Sequence, residues 1–176
     1  MKKILYALVL LAVVVSCKKD NNDNDQTDGP LDVTWSFDSE STIDNWTIVT
    51  PNNAQVSIDT DDKFAGAGSL YITSGCAVLT YKKEFTVKPN TDYGLTVNAK
   101  RTPWGPNDTI CTYQYPVGVF VLQGGIELFG SAIGDSPNWK TESFYFNSHE
   151  GTEPITLRFM INSKEVWLDE IKLEEI

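Results

Sequence analysis

The chain is 176 residues long, 41% hydrophobic and 11% aromatic, with 14 Lys and Arg against 24 Asp and Glu and a formal net charge of -10. Such a surface repels the phosphates of nucleic acid, and no basic run or phosphate-cradling glycine loop offsets it, so nucleic-acid binding is excluded. One histidine and three cysteines leave few ligands for a zinc centre and few partners for a catalytic relay.

In chain order, Lys2-Lys3 precede an unbroken apolar run from Ile4 to Val15, and Ser16 stands before Cys17. A basic start followed by an apolar run of about twelve residues is a secretory signal. It falls short of the roughly 20 residues that span a bilayer. Val14-Val15-Ser16-Cys17 resembles a lipobox. That resemblance implies removal of residues 1–16, lipidation of Cys17 and attachment to the membrane through the lipid anchor. Cleavage takes away two lysines and no acids, so the charge moves from -10 to about -12. Residues 17–30 hold no apolar side chain beyond the cysteine and are rich in Asn and Asp, the composition of a flexible polar linker. Their Asp spacing is loosely that of a calcium loop, but no helical pattern flanks it and Leu31 stands where a closing Glu would be. Acidic residues just after the lipidated cysteine resemble the export signals of Bacteroidetes-type surface lipoproteins, matched in part by Lys19-Asp20.

Residues 31–176, about 145 in all, make one domain able to bury its own core. No segment keeps apolar residues at helical spacing, whereas period-two stretches recur. They predict strands at Thr34 to Phe37, Trp46 to Val49, Gln55 to Asp59, Ser69 to Thr73, Ala77 to Val87, Tyr93 to Lys100, Tyr115 to Gln123, Ile126 to Phe129, Thr141 to Phe146, Ile155 to Asn162 and Val166 to Leu173. Turn clusters such as Pro89-Asn90, Gly124-Gly125 and Ser136-Pro137-Asn138 separate them. Many short strands so punctuated, without an internal repeat, predict an all-β sandwich or barrel.

Alternation assigns faces. Ile155, Leu157, Phe159 and Ile161 point to the core, with Thr156, Arg158 and Met160 opposite. In Trp167-Leu168-Asp169-Glu170-Ile171-Lys172-Leu173, Asp169 shares parity with Trp167, Ile171 and Leu173, which places a carboxylate on the apolar side. A carboxylate there needs backbone N–H donors, a charge partner or a metal ion. With Cys17 lipidated, Cys76 and Cys111 remain as a pair able to form a disulfide in an oxidising compartment. Whether they bond depends on their Cα atoms coming within about 7 Å.

Five segments, in order, carry a family resemblance: Phe37-Asp38 with Trp46; Ala65-Gly66-Ala67-Gly68-Ser69-Leu70; Val87-Lys88-Pro89-Asn90-Thr91-Asp92-Tyr93; Trp139 before Phe144-Tyr145-Phe146; and the closing Trp167-Leu168-Asp169-Glu170-Ile171-Lys172-Leu173. The chain resembles the galactose-binding-like jelly-roll β-sandwiches that include carbohydrate-binding modules of the family 4, 9 and 22 type. Asn90 replaces the usual turn glycine and Glu170 the second aspartate of the pattern. The resemblance implies a structural calcium ion (Ca2+) held by Asp38 and Asp169 with carbonyls around Lys63 to Gly66.

Catalysis has little to build on, because His149 stands in a loop beside Glu150 and no compact carboxylate pair marks a glycosidase. Glycan binding needs an exposed aromatic platform edged by polar groups. Trp104, between Pro103 and Pro106, is a preorganised loop platform, with Tyr113 and Tyr115 after it and Tyr145 and Arg158 on non-core faces. Trp35, Trp46, Trp139 and Trp167 read as packing residues. The expectation is a non-catalytic lipoprotein at the outer membrane or cell surface that binds a polysaccharide or oligosaccharide. The alternative is a structural or protein-interaction module of a surface complex.

Overall fold

A computed structural model describes residues 30–103, 115–134 and 136–176. Nine strands form one antiparallel system: β1 (Asp32–Trp35), β2 (Trp46–Val49), β3 (Gln55–Asp59), β4 (Ser69–Tyr81), β5 (Asp92–Thr102), β6 (Val117–Gln123), β7 (Ile126–Ala132), β8 (Lys140–Asn147) and β9 (Ile155–Glu175). One 3-10 helix, Glu40–Asn45, joins β1 to β2.

The two longest strands organise everything else. The first half of β9 pairs with β4 on one side and β6 on the other, and β2 and β7 extend this layer outward. Its second half pairs with β5 on one side and with β4 and β1 on the other, and β3 and β8 complete a second layer. We call these the β6 layer and the β5 layer. Along β4 the buried side chains are Leu70 and Ile72, then Ala77, Leu79 and Tyr81; along β9 they are Ile155, Leu157, Phe159 and Ile161, then Val166 and Leu168. Parity therefore switches on both strands at the same place, where Thr73 faces Glu165 and Gly75 faces Ser163. The ribbon rolls over there and turns its opposite face to the core.

This explains why two predicted strand pairs are each one strand. Gly75 and Ser163-Lys164 are turn-like in composition, but the ladder is paired through them, so the backbone stays extended. Residues 82–87 leave the strand instead, apart from an isolated bridge between Phe85 and Ile155. The outcome is the expected all-β sandwich, with a core from both layers that includes Trp35, Phe37, Trp46, Tyr81, Phe85, Tyr93, Phe146 and Phe159. Phe159 is fully enclosed, a burial that contributes about 1.5–3 kcal/mol.

Local chemistry sets the joints. The β6–β7 hairpin turns on Gly124 (φ 56°) and Gly125 (φ 81°), both left-handed as a two-residue type I′ turn requires. Asn90 adopts φ 53°, a conformation Asn tolerates better than most residues, so replacement of the turn glycine leaves the turn intact.

One assignment from alternation is overturned. Trp167 lies in register with Tyr71 on β4 and Lys100 on β5, on the outer face of the β5 layer and outside the core cluster. The inward residues are Val166 and Leu168, then Ile171 and Leu173. Parity changes because the pairing of β5 with β9 shifts register between Thr96 and Asn98, opposite a β9 segment in which Glu170 takes φ 42°. An extra residue on one strand reverses the faces that follow it.

Candidate functional site

Two places on the sandwich gather side chains with chemistry to offer. The first is the outer face of the β6 layer. Antiparallel register puts Thr47 on β2, Thr80 on β4, Arg158 on β9 and Phe120 on β6 in one row across four strands. Directly opposed residues share a face. A shallow groove of about 540 Å³ takes in Thr47, Thr80 and Arg158 of this row, with Lys82, Glu84 and Thr156 also in its walls, and Phe120 stands beside it. Arg158 is half-buried, and its Nε donates to Thr80 Oγ1 at 3.3 Å. Lys82 Nζ donates to the Asp44 carbonyl oxygen at 2.6 Å, at one rim.

Phe120 is arranged unusually. A methyl carbon placed on Gly118 would stand 2.7 Å from its Cε2, and one on Gly130 would stand 2.9 Å from its Cδ1. Gly130 is its cross-strand partner on β7 and Gly118 its neighbour two residues back on β6. Two glycines thus let the ring lie down on the backbone of both strands, a packing any larger residue at either position would prevent. Its remaining face looks away from the sheet, and the Tyr115 ring sits 6.3 Å from it.

The second place is the loop between β3 and β4. Asp169 is fully buried, its Oδ2 accepting from the Phe64 and Ala65 N–H groups at 3.0 and 2.9 Å and its Oδ1 from the Glu170 N–H at 2.8 Å. Asp38 Oδ1 accepts from the Ala67 N–H, and its Oδ2 from the Ser36 hydroxyl at 3.1 Å. Two carboxylates remote in sequence thus clasp residues 64–67. Gly66 between them has φ 61°, and a side chain there would collide with the Asp38 carboxylate. Burial pushes the Asp169 carboxyl above the usual carboxylate range despite its three N–H donors, and the neighbouring Asp38 charge pushes the same way. Glu170 is raised too, first by burial and then by Asp169 and Asp38. The burial of Asp169 follows from these N–H bonds, and its place on the bulge replaces the apolar-face position that alternation indicated. Among the described residues no three His, Cys, Asp or Glu side chains are placed together to hold a metal ion.

The predicted binding residues divide. Tyr115 and Arg158 come together on the β6 layer, joined through Phe120. Tyr145, 68% exposed, stands on β8 in the other layer. Trp104, Tyr113, Cys17 and Cys111 lie outside the described residues. Cys76 is buried and disulfide-bonded, with Asn52 Nδ2 donating to its sulfur at 3.3 Å. Of the tryptophans, Trp35 and Trp46 are core residues, whereas Trp139 and Trp167 cap the outer face of the β5 layer. Phe120 was missed by sequence reasoning. Its signal was the alternation of Gly118 and Phe120 facing Gly130, visible only once β6 and β7 are in register.

No protein-family model and no curated protein sequence matches the chain. Solved structures do. The CBM22-1 xylan-binding domain of Paenibacillus barcinonensis Xyn10C superposes with a TM-score of 0.55 over 82% of this chain and 93% of that one, at 14% identity. The fold is that of a carbohydrate-binding-module-like β-sandwich. This sandwich also serves other proteins: a cyclase from Fischerella sp. TAU aligns with a TM-score of 0.57 over 83% of this chain and 98% of its own, at 18% identity. The enzymatically active domain of bacteriophage CBA120 tailspike protein 4 aligns with a TM-score of 0.58 over 80% of this chain, at 14% identity. There the sandwich spans only 20% of the other chain. At such identities the likeness carries the fold alone.

Proposed function

We propose that the chain is a non-catalytic lipoprotein, anchored through Cys17 at the outer membrane or cell surface, whose sandwich binds an extracellular glycan across the outer face of the β6 layer. The observation that carries this reading is the Phe120 ring laid flat on Gly118 and Gly130 beside Arg158, Thr80 and Thr47. A sugar presents C–H faces to a flat ring and hydroxyls to short polar side chains, and this row offers both. The xylan-binding neighbour uses the same fold. Trp104 and Tyr113, in the segment that ends at Tyr115, belong to the proposed site. Among the described residues the groove has one carboxylate, Glu84, where glycoside hydrolysis needs two.

Affinity electrophoresis of the mature protein against a polysaccharide panel tests this. Phe120→Ala is expected to weaken retention about 30-fold, a hot-spot loss of about 2 kcal/mol; unchanged retention removes Phe120 from the site, and sugar release by the wild type makes the protein an enzyme. For the anchor, Cys17→Ala is expected to free the protein from the membrane fraction, and continued membrane association defeats that part.

Calcium belongs to the same proposal. Asp38 and Asp169 would hold the ion with carbonyls of the 63–66 loop, and it would brace the loop rather than act in chemistry. The residues fit by charge: burial and neighbouring carboxylates raise Asp169 and Glu170, which a cation beside Asp38 and Asp169 would relieve, and carboxylate and carbonyl oxygens are the donor type calcium takes. Chelator is expected to lower the melting temperature and calcium at 100 times its Kd to restore about 2.7 kcal/mol. An identical melt in both leaves the N–H clasp sufficient alone. Cys111 is the proposed partner of Cys76.

A further inference from the structure

Resting on the glycan reading above, we infer that the groove is built for an acidic saccharide, one carrying hexuronate carboxylates, with Arg158 as the anchor for the charge. Lys88, Lys100, Lys140 and Lys172 each sit within ion-pair distance of an acid. Lys63 and Lys82 donate instead to backbone carbonyls. Arg158 does neither among the described residues, in a chain with 24 acids to 14 bases. Its one hydrogen bond among the described residues runs from Nε to a neutral hydroxyl, Thr80 Oγ1.

That bond has a geometric consequence. It ties the inner edge of the guanidinium to β4 and leaves the planar fork of the two terminal nitrogens without a partner among the described residues. Such a fork matches the two oxygens of a carboxylate. Arg158 lines the groove from β9, and its cross-strand partner on β6, Phe120, stands at the groove's side. A hexuronate whose ring rests on Phe120 can turn its carboxylate toward Arg158 across a single strand spacing. Lys82 lines the same groove with its ammonium on a carbonyl rather than a carboxylate. Against these two cations stands Glu84 alone among the groove's described acids, so the groove carries a net positive charge on a strongly acidic protein. The Debye length of about 8 Å at physiological ionic strength screens the distant acids. Charge within the groove then decides what binds. A neutral glycan would leave the fork on hydroxyl oxygens, without the opposite charge and the bidentate match that a carboxylate supplies.

Isothermal titration of the mature protein with oligogalacturonate, neutral xylo-oligosaccharide and a sulfated oligosaccharide tests this, for the wild type, Arg158→Gln and Arg158→Lys, with thermal melts confirming that the variants fold. The uronate is expected to bind at least about tenfold tighter than the neutral chain, the effect of one charge-assisted hydrogen bond. Added salt is expected to narrow that gap. Arg158→Gln should weaken the uronate at least about tenfold more than the neutral sugar, and Arg158→Lys should keep part of the preference without the fork. Neutral sugar bound as tightly as the uronate, or both weakened equally in Arg158→Gln, overturns the acidic-ligand inference while the glycan reading stands. A sulfated sugar matching the uronate in every variant overturns the carboxylate assignment. Binding of none of the three defeats this inference together with the reading beneath it.

Discussion

The outer faces of the two layers contain the same kinds of residue and treat them in opposite ways. On the β5 layer, Tyr71 stacks on Trp167 at 4.7 Å between ring centroids, and Lys100 Nζ lies 4.6 Å above the same indole. The polar ends of this cluster are occupied: Trp167 Nε1 donates to Asp59, Trp139 Nε1 and Lys100 to Asp62, and the Tyr71 hydroxyl to Glu165. On the β6 layer, Phe120 lies on glycine and, among the described residues, Arg158 is tied only by its inner edge. The first face is closed by its own hydrogen bonds and holds the 59–67 loop in place. The second leaves rings and polar tips without such bonds, beside a groove. Aromatic and charged residues in one patch therefore do not by themselves make a binding face; what matters is whether their polar atoms are already satisfied.

This contrast can be broken most sharply with Trp167→Ala. Trp167 is 8% exposed and tied to Asp59, so its loss is expected to lower stability by about 3–5 kcal/mol and leave glycan affinity unchanged once the protein is folded. Denaturant unfolding and titration with the sugar check the two halves; a large affinity loss would show that the closed face also binds. Phe120→Ala should give the reverse pattern. Stability should fall by less than about 1.5 kcal/mol, because the half-buried ring lies over glycine rather than in the core. A larger fall would mean that Phe120 is a packing residue.

The smallest expected effect sharpens the account of the closed face. Burial works to raise the Asp59 carboxyl, but the Trp167 indole N–H, the Asp62 and Asp61 backbone N–H groups and Lys100 outweigh it, so it titrates below its ordinary value. A carboxyl depressed in the folded state stabilises above its unfolded pKa, and that contribution disappears as pH falls through the depressed one. Stability of the wild type relative to Asp59→Asn should accordingly decline only below about pH 4. A stability difference flat from neutral pH to pH 2 would mean that the Asp59 contacts do not depend on its charge.

The sequence made parts of this legible for identifiable reasons. Strands β2 and β3 fall at their predicted bounds, because period-two patterning between turn residues is a local property. The inward set Ile155, Leu157, Phe159 and Ile161 is likewise as alternation indicates. Alternation failed at Trp167 and Asp169, since a bulge adds one residue and reverses every face beyond it. Arg158 and Tyr115 were legible as non-core residues. Their meeting through Phe120 was not, because residues 115, 120 and 158 approach only when β6 pairs with β9.

Sequence by itself determined what depends on near neighbours: an all-β domain, an acidic composition, and the turns at Asn90 and Gly124-Gly125. Tertiary structure alone decided what depends on register. It set one aromatic face closed and the other open, brought Asp38 and Asp169 to the same loop, and left the Arg158 fork without a carboxylate among the described residues. The physical reason is that alternation fixes which way a side chain points relative to its neighbours in the chain, whereas hydrogen-bond satisfaction depends on partners brought from far along it, as with Trp167 and Asp59, 108 residues apart.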